Sequence, residues 1–466
     1  MRVFGIVSLT CDISNAQYDS SVLLLSKLGR LAQRCKTFHF YLLAPCDVSF
    51  ITGGPYFTVL SLQPYPADGM TVQLGGYVPD PREVMQAVQR YGPDVLVVTH
   101  AGTLAFFVLA LMTDALMFCP ARVVLWDFSP VSEDTIEQRM RQMLMRDALY
   151  AQVAGYMAAS HVWSQSHAAL QSAYLQVLRS FGYAAADRLM KRARVLPAAV
   201  DREYMQSVVT GDLGKRDEFS VHIGGRWSVT KGYRTVTNVV RDLRAGGLDV
   251  RCVYTGYSPM MSSNKKVEAL VESESEVISG LTQEEMWKVA ARCHVGVMPQ
   301  DVQALPSLPL EQLTLGLPVL VRSSSHLPQA MPGYPLVFRS EHELRSLLTY
   351  AYHHYDEVRQ EAQTWWEQHR ESYDIALLAS EIEGMRDILG EVMKMQVSVS
   401  NEGKFVPAVP WLQPKRSVIK AARSVWKMTA ARRLLLSWGY QEMLEDERPL
   451  FEAGESQRAV CDGPSD

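Results

Sequence analysis

The sequence has no Cys-x-x-Cys pair and no even set of cysteines. Its seven, Cys11, Cys35, Cys46, Cys119, Cys252, Cys293 and Cys461, are odd in number and scattered. That excludes a zinc knot or a disulfide framework and suits a reducing compartment. Long apolar runs are also missing. The greasiest stretch, 104–112, has nine residues, whereas a bilayer span needs about 20, so it reads as a core helix. The apolar stretch at 1–9 is too short for a secretory signal and turns polar at Thr10 to Asp12. It reads as a first buried strand. Nor does one sign of charge dominate: the net charge is -4, which gives no global reason to expect nucleic acid. What remains is a cytoplasmic chain of ordinary globular composition, 47% apolar and 21% charged over 466 residues. At about 150 residues per domain, that length predicts two or three domains with real cores.

What the sequence does contain is alternation. Short apolar runs at 3–7, 40–43, 94–98 and 123–126 read as strands buried on both faces. Between the first two, 21–32 reads as a helix with Leu24, Leu25, Leu28 and Leu31 on one side. A second alternation starts near Phe219. Strand 220–223 ends in Gly224-Gly225-Arg226, and helix 233–243 carries Val236, Val239, Val240 and Leu243 at helical spacing. Strand 250–254 follows, then a helix opened by the capping box Thr282-x-x-Glu285, then strand 295–298. Ser307 caps the next helix, with Pro309 in its first turn and Gly316 at its end, before strand 318–321. Such alternation predicts parallel sheets covered on both faces. Two sets predict an α/β chain of two facing Rossmann-like domains, 1–198 and 199–350. Ligands of such sheets sit beyond the carboxyl ends of the strands, which directs attention to 10–14, 100–102, 127–129, 225–231 and 298–311.

Three segments at those ends carry chemistry. In 224–232, a strand ends in glycines, Arg226 and Lys231 follow, and a helix opens behind them. Guanidinium, ammonium and helix dipole on one spot suit a diphosphate, although two solvated cations on a surface loop fit equally well. In 299–311, a loop with Gln303, Leu305 and Pro306 leads into a helix bearing Glu311 in its first turn. The carboxylate suits two neighbouring sugar hydroxyls, and the free N–H groups at 307–310 suit an anion. Equally, a first-turn acid simply complements its own helix dipole. The third segment, 196–201, reads as a linker.

Together these segments resemble the nucleotide-sugar-binding half of retaining GT-B glycosyltransferases, the large family that includes sucrose synthases and bacterial mannosyl- and glucosyltransferases. Gly225-Arg226 with Lys231-Gly232 resembles its diphosphate loop. Thr255-Gly256 and Gly280-Leu281-Thr282 match its next strand end and base-proximal turn. Leu310-Glu311-Gln312 with Gly316-Leu317-Pro318-Val319 matches its helix-to-strand segment, and 197–201 its interdomain segment. The resemblance implies a metal-independent transfer, with retention, from a nucleotide-diphosphate sugar to a glycan or lipid-linked acceptor, with no cofactor. Arg226, Lys231 and His100 would be catalytic. Gly225, Thr282, Gln303, Leu305, Pro306, Ser307, Leu308 and Glu311 would bind the donor, Glu311 through the ribose. The absence of any Asp-x-Asp in the chain agrees with metal independence. The family also implies crossover helices at 351–400 that pack back on the first domain, with Trp365 and Trp366 as packing residues. Two departures stand out: Gln303 occupies the place of the family's first glutamate, and Cys11 to Asn15 replace its Gly-Gly after the first strand. The first keeps hydrogen bonding but loses charge. It also favours a rival reading, a non-catalytic glycosyltransferase-like subunit that binds a sugar or stabilises a partner enzyme. A sugar-nucleotide epimerase of the same architecture fits the motifs less well. His100 reads either as a cleft residue or as a cap on the next helix, and Asp127 as a turn or capping residue more readily than an acceptor contact.

The tail, 401–466, differs from the rest. Seven cations and no acid lie in 413–433, and eight acids against two arginines in 442–466. As a helix, 413–433 places Arg416, Lys420, Arg423 and Lys427 on one face, with Val418, Ala422 and Val425 opposite and Trp426 at the boundary. That pattern suits an anionic membrane surface, or docking on protein, while the acidic end reads as disordered. A vesicle-sedimentation comparison of the full chain with one cut at Ser400 separates the two. Lipid binding predicts that the full chain pellets with anionic vesicles and the shortened one does not; equal pelleting removes the membrane expectation.

Overall fold

The computed structural model describes residues 1–9, 13–66, 77–104, 122–127, 152–197, 200–211, 213–225, 232–256, 275–300, 307–323 and 327–385. The first sheet is built from apolar runs whose burial on both faces is what parallel strands require. It comprises β1 (Arg2–Ile6), β2 (His39–Ala44), β3 (Phe57–Ser61), β6 (Val95–Val98), β7 (Arg122–Asp127), β8 (His161–Ser164) and β9 (Ala193–Val195). Their order is β3-β2-β1-β6-β7-β8-β9, every pair parallel. A small antiparallel pair, β4 (Pro64–Pro66) and β5 (Tyr77–Pro79), lies beside it in the chain. Helix α1 (Ser20–Cys35) follows β1; Asp19 caps it by accepting from Ser21 N at 2.8 Å, and Lys36 ends it in the left-handed conformation. Its leucines face the core, as the spacing predicts. Helices α2 (Pro81–Tyr91), α3 (His167–Phe181) and α4 (Tyr183–Arg192) also belong to this half.

The second sheet has the order β12-β11-β10-β13-β14-β15, again wholly parallel. Its strands are β10 (Phe219–Gly224), β11 (Val250–Gly256), β12 (Ser275–Ser279), β13 (Val295–Met298), β14 (Val319–Arg322) and β15 (Val337–Phe338). Around them lie α5 (Arg202–Val208), α6 (Tyr233–Ala245), α7 (Gln283–Arg292), α8 (Ser307–Thr314), α9 (Leu327–Ala330), α10 (Glu341–His353) and α11 (Tyr355–His369). The capping box of α7 forms as predicted, Thr282 and Glu285 each satisfying the other's backbone. In both sheets the strand order reverses beside the first strand, between β1 and β6 and between β10 and β13. Those switch points open the crevices where doubly wound sheets bind ligands.

Two chain crossings join the halves, and they run side by side. Val200 N donates to Tyr373 O at 3.1 Å and Ile375 N to Val200 O at 2.8 Å. The return expected over 351–400 begins later in the chain. Helix α11 stays with the second domain: Gln363 donates to Leu313 O and the buried Trp365 to Pro332 O, each at 3.0 Å. Glu381, beyond the crossing, pairs with Arg194 of β9. Among the described residues no helix is long and apolar enough to cross a membrane.

The seam between β10 and β13 depends on a glycine. Gln312 donates its amide to His222 Nδ1 at 2.6 Å, and His222 Nε2 bonds Thr255 Oγ1 at 2.8 Å. A Cβ on Gly296 would stand 2.5 Å from Gln312 Oε1. Gly296→Ala is therefore expected to lose about 1–3 kcal/mol of stability by pushing the amide off the histidine; an unchanged denaturation midpoint would contradict this. Burial, with a smaller contribution from Arg216, holds the His222 imidazole at a pKa of about 3. An unfolded histidine titrates near 6.5. Above that pH neither state is charged and the stability is full. Below it the unfolded chain gains a proton that the native state refuses, so stability falls as pH drops toward 3. At pH 5 the loss from His222 alone is about 1–2 kcal/mol. Urea titrations at pH 7.5 and pH 5 check this: the wild-type midpoint falls, and His222→Gln falls less.

Candidate functional site

The floor of the first-domain crevice is polar, buried and neutral. Beyond β1, Ser8 Oγ bonds Thr103 Oγ1 at 2.7 Å, while Ser8 N donates to Ser21 Oγ at 3.1 Å. Ser21 Oγ in turn bonds Thr99 Oγ1 at 2.7 Å, beyond β6. His100, buried, follows at once, and its carbonyl accepts from Leu104 N at 2.9 Å, the first bond of the next helical turn. Burial drives the His100 imidazole down to a pKa of about 4, the nearby Asp19 charge opposing that only in part. At neutral pH the ring is therefore uncharged and suited to hydrogen bonding. Asp127 ends β7, opposite Ser164.

On the second domain, both ends of the 226–231 loop are fixed. Gly225, with φ 112°, donates its N–H to Thr255 O at 3.0 Å and accepts from Tyr233 Oη at 3.2 Å. Gly232, with φ 67°, opens α6, and a Cβ there would stand 2.7 Å from Pro299 O. Only glycine allows that approach. Gly225 is thus tied to the end of β11 and Gly232 to the end of β13, where the positive N-terminus of α6 opens. Arg226 and Lys231 lie outside the described residues, as do Gln303, Leu305 and Pro306.

Helix α8 brings the other second-domain residues to this end of the sheet. Leu308 packs on Gly224, whose notional Cβ would lie 3.1 Å from Leu308 Cδ2. The helix starts at Ser307, so Ser307 is its first residue and Glu311 stands in its second turn. This corrects the reading of Glu311 as a first-turn acid and removes the dipole account of it, because macrodipole effects fade beyond the first turn. Glu311 is instead buried and held on both oxygens. Oε1 accepts from Lys27 Nζ at 2.7 Å and from Gln283 Nε2 at 3.3 Å; Oε2 accepts from Trp287 Nε1 at 2.8 Å. Thr282 faces the same region but uses its hydroxyl in the capping box, donating to Glu285 Oε2 at 3.0 Å.

Sequence reasoning missed Lys27 and the seam to which it belongs. Lys27, Arg30 and Arg34 stand at i, i+3 and i+7 on α1, one face of a helix. Arg30 and Arg34 both reach the buried Asp201, at 3.2 and 2.6 Å, and Arg30 lies 4.3 Å over the Tyr204 ring. The segment read as a mere linker is thus the anchor of the domain contact, and Asp201 also caps α5. The cation spacing beside the leucine stripe was visible in the sequence; the carboxylates it meets were not. Among the described residues no cluster of three His, Cys, Asp or Glu is placed to hold a metal ion.

No protein-family profile matches the chain, and no curated relative is detected. Solved structures do share its architecture. A sucrose-phosphate synthase from Thermosynechococcus elongatus superposes with a TM-score of 0.59 at 15% identity, over 84% of this chain and 99% of that one. HepE of Anabaena, solved with UDP and glucose, gives 0.56 at 14% identity over 83% and 99%. WaaG, a glycosyltransferase involved in lipopolysaccharide biosynthesis, gives 0.54 at 12% identity over 82% and 99%. Two wholly parallel Rossmann-like sheets, joined by paired crossings and matched across the full length of these proteins, give the chain the GT-B glycosyltransferase fold.

Proposed function

We propose that the chain is a retaining, metal-independent glycosyltransferase that moves a sugar from a nucleotide-diphosphate sugar to an acceptor hydroxyl. The observation that carries this reading is the pair of fixed loop ends, Gly225 bonded to Thr255 O and Gly232 so close to Pro299 O that no side chain fits there. A backbone tied so tightly at both ends, with two cations between and a helix N-terminus behind, suits a diphosphate. Arg226 and Lys231 neutralise the charge that grows on the departing nucleoside diphosphate, which is electrostatic stabilisation of the transition state. Glu311 holds the ribose. Gln303 and the backbone over 305–308, including Leu305, Pro306, Ser307 and Leu308, hold the donor sugar. The acceptor hydroxyl attacks on the face the diphosphate leaves, with neutral His100 bonding the reacting sugar from the first domain. A glycan or lipid-linked acceptor, with the 413–433 segment on an anionic cytoplasmic membrane face, fits that scheme.

The test is a panel of nucleotide sugars assayed for binding and hydrolysis with wild type, Arg226→Ala and Lys231→Ala. One donor is expected to bind, and each variant to lose about 100-fold or more in turnover. Binding without turnover by the wild type would assign the non-catalytic role that Gln303 favours. No binding at all, or variants as active as wild type, would remove the reading.

A further inference from the structure

Lys27 and Glu311 are 284 residues apart and belong to different domains, yet their charged atoms meet at 2.7 Å. Their side chains are 2% and 5% exposed. An ionised carboxylate accepts along about four directions. At Glu311 three are taken by protein: Lys27 and Gln283 on Oε1, Trp287 on Oε2. A ribose diol needs two and must arrive from solvent, which this burial does not allow. Gln283 and Trp287 sit on α7, in the same domain as Glu311 and beside it. Of the three donors, Lys27 alone comes from across the crevice.

Resting on the reading of Glu311 as the ribose holder, we infer that Lys27 is a positioning residue acting through Glu311: its ammonium holds the place of the ribose diol of a nucleoside diphosphate. Donor arrival and withdrawal of this part of α1 from α8 are then one event. The two occupants are chemically exchangeable. An ammonium when the site is empty, or two hydroxyls when it is filled, occupies the acceptor directions of the buried carboxylate that Gln283 and Trp287 leave over. Further along α1, Arg30 and Arg34 keep their grip on Asp201. The helix therefore pivots about its C-terminal half instead of detaching.

The experiment is titration calorimetry with UDP, GDP and ADP and with their 2′,3′-dideoxy counterparts. It uses wild type, Lys27→Met, Lys27→Arg and the double variant Lys27→Met/Glu311→Gln. Whichever ribonucleotide binds wild type is expected to bind Lys27→Met about tenfold more tightly, with the dideoxy form unchanged. Lys27→Arg, whose planar fork holds a carboxylate more firmly, is expected to bind the ribonucleotide several-fold less tightly, again with no change for the dideoxy form. This second variant keeps the buried pair and so does not depend on Lys27→Met folding. The double variant leaves no lone buried charge and, with a neutral amide in place of the carboxylate, is expected to distinguish ribose from dideoxyribose less than wild type does. Unchanged ribonucleotide affinity in both single variants, or an equal change for the dideoxy form, overturns the inference while nucleotide binding stands. Lower unfolding temperatures with an unaltered ribo-to-dideoxy ratio would reduce Lys27 to a structural role and overturn it too. If none of the three diphosphates binds any of the four proteins, the donor-site reading itself falls and the inference falls with it.

Discussion

The arrangement of the two domains rests on a row of three cations along one face of α1. Lys27 enters the second domain at Glu311, and Arg30 and Arg34 close on Asp201 where the chain first crosses. Exposed ion pairs contribute little to stability. These differ because their carboxylates are buried, so removing one member leaves a charge in a poor solvent, at a cost of about 3–5 kcal/mol. The seam therefore specifies how the domains meet more than it glues them. A hydrophobic contact of the same area would tolerate sliding; a buried carboxylate with directional donors does not.

The same seam ties the two crevices together. On one side the ends of β1 and β6 present hydroxyls and a neutral imidazole; on the other, Gly232 and α8 flank the end of β13. Glu311 belongs to the second group and is held from the first. In the first crevice Ser8, Ser21, Thr99 and Thr103 are tied by mutual hydrogen bonds, and in the second Gly225 and Gly232 hold the two ends of the loop.

The sheets were legible because strands buried on both faces are mostly apolar runs, as β1, β6 and β13 are, with β10 departing only at Ser220 and His222. The strand ends followed from them, and with them the Gly224-Gly225 turn and the α7 capping box. Edge strands were not legible. β12, Ser-Glu-Val-Ile-Ser, is partly exposed along its whole length, and β9 is three residues long with an arginine at its centre. Neither carries a pattern to read. Glu311 was singled out from the sequence but assigned to the first turn of α8, whereas with Ser307 as the first helical residue it stands in the second. Its partner Lys27 could not be found at all: the leucine stripe fixes which face of α1 is buried in its own domain, and nothing local says what meets the neighbouring face. Contacts between domains depend on docking geometry, which no local pattern encodes.

The paired crossings at Val200 and at 373–375 bear on how the molecule can move. The two segments are joined by one parallel bridge, Val200 beside Asp374, the shortest possible ribbon. Such a ribbon resists stretching and shear, since either would break its bonds, but it bends readily across its width. Sliding one domain along the other would therefore break both of these bonds, whereas turning about the line of the two crossings would spare them.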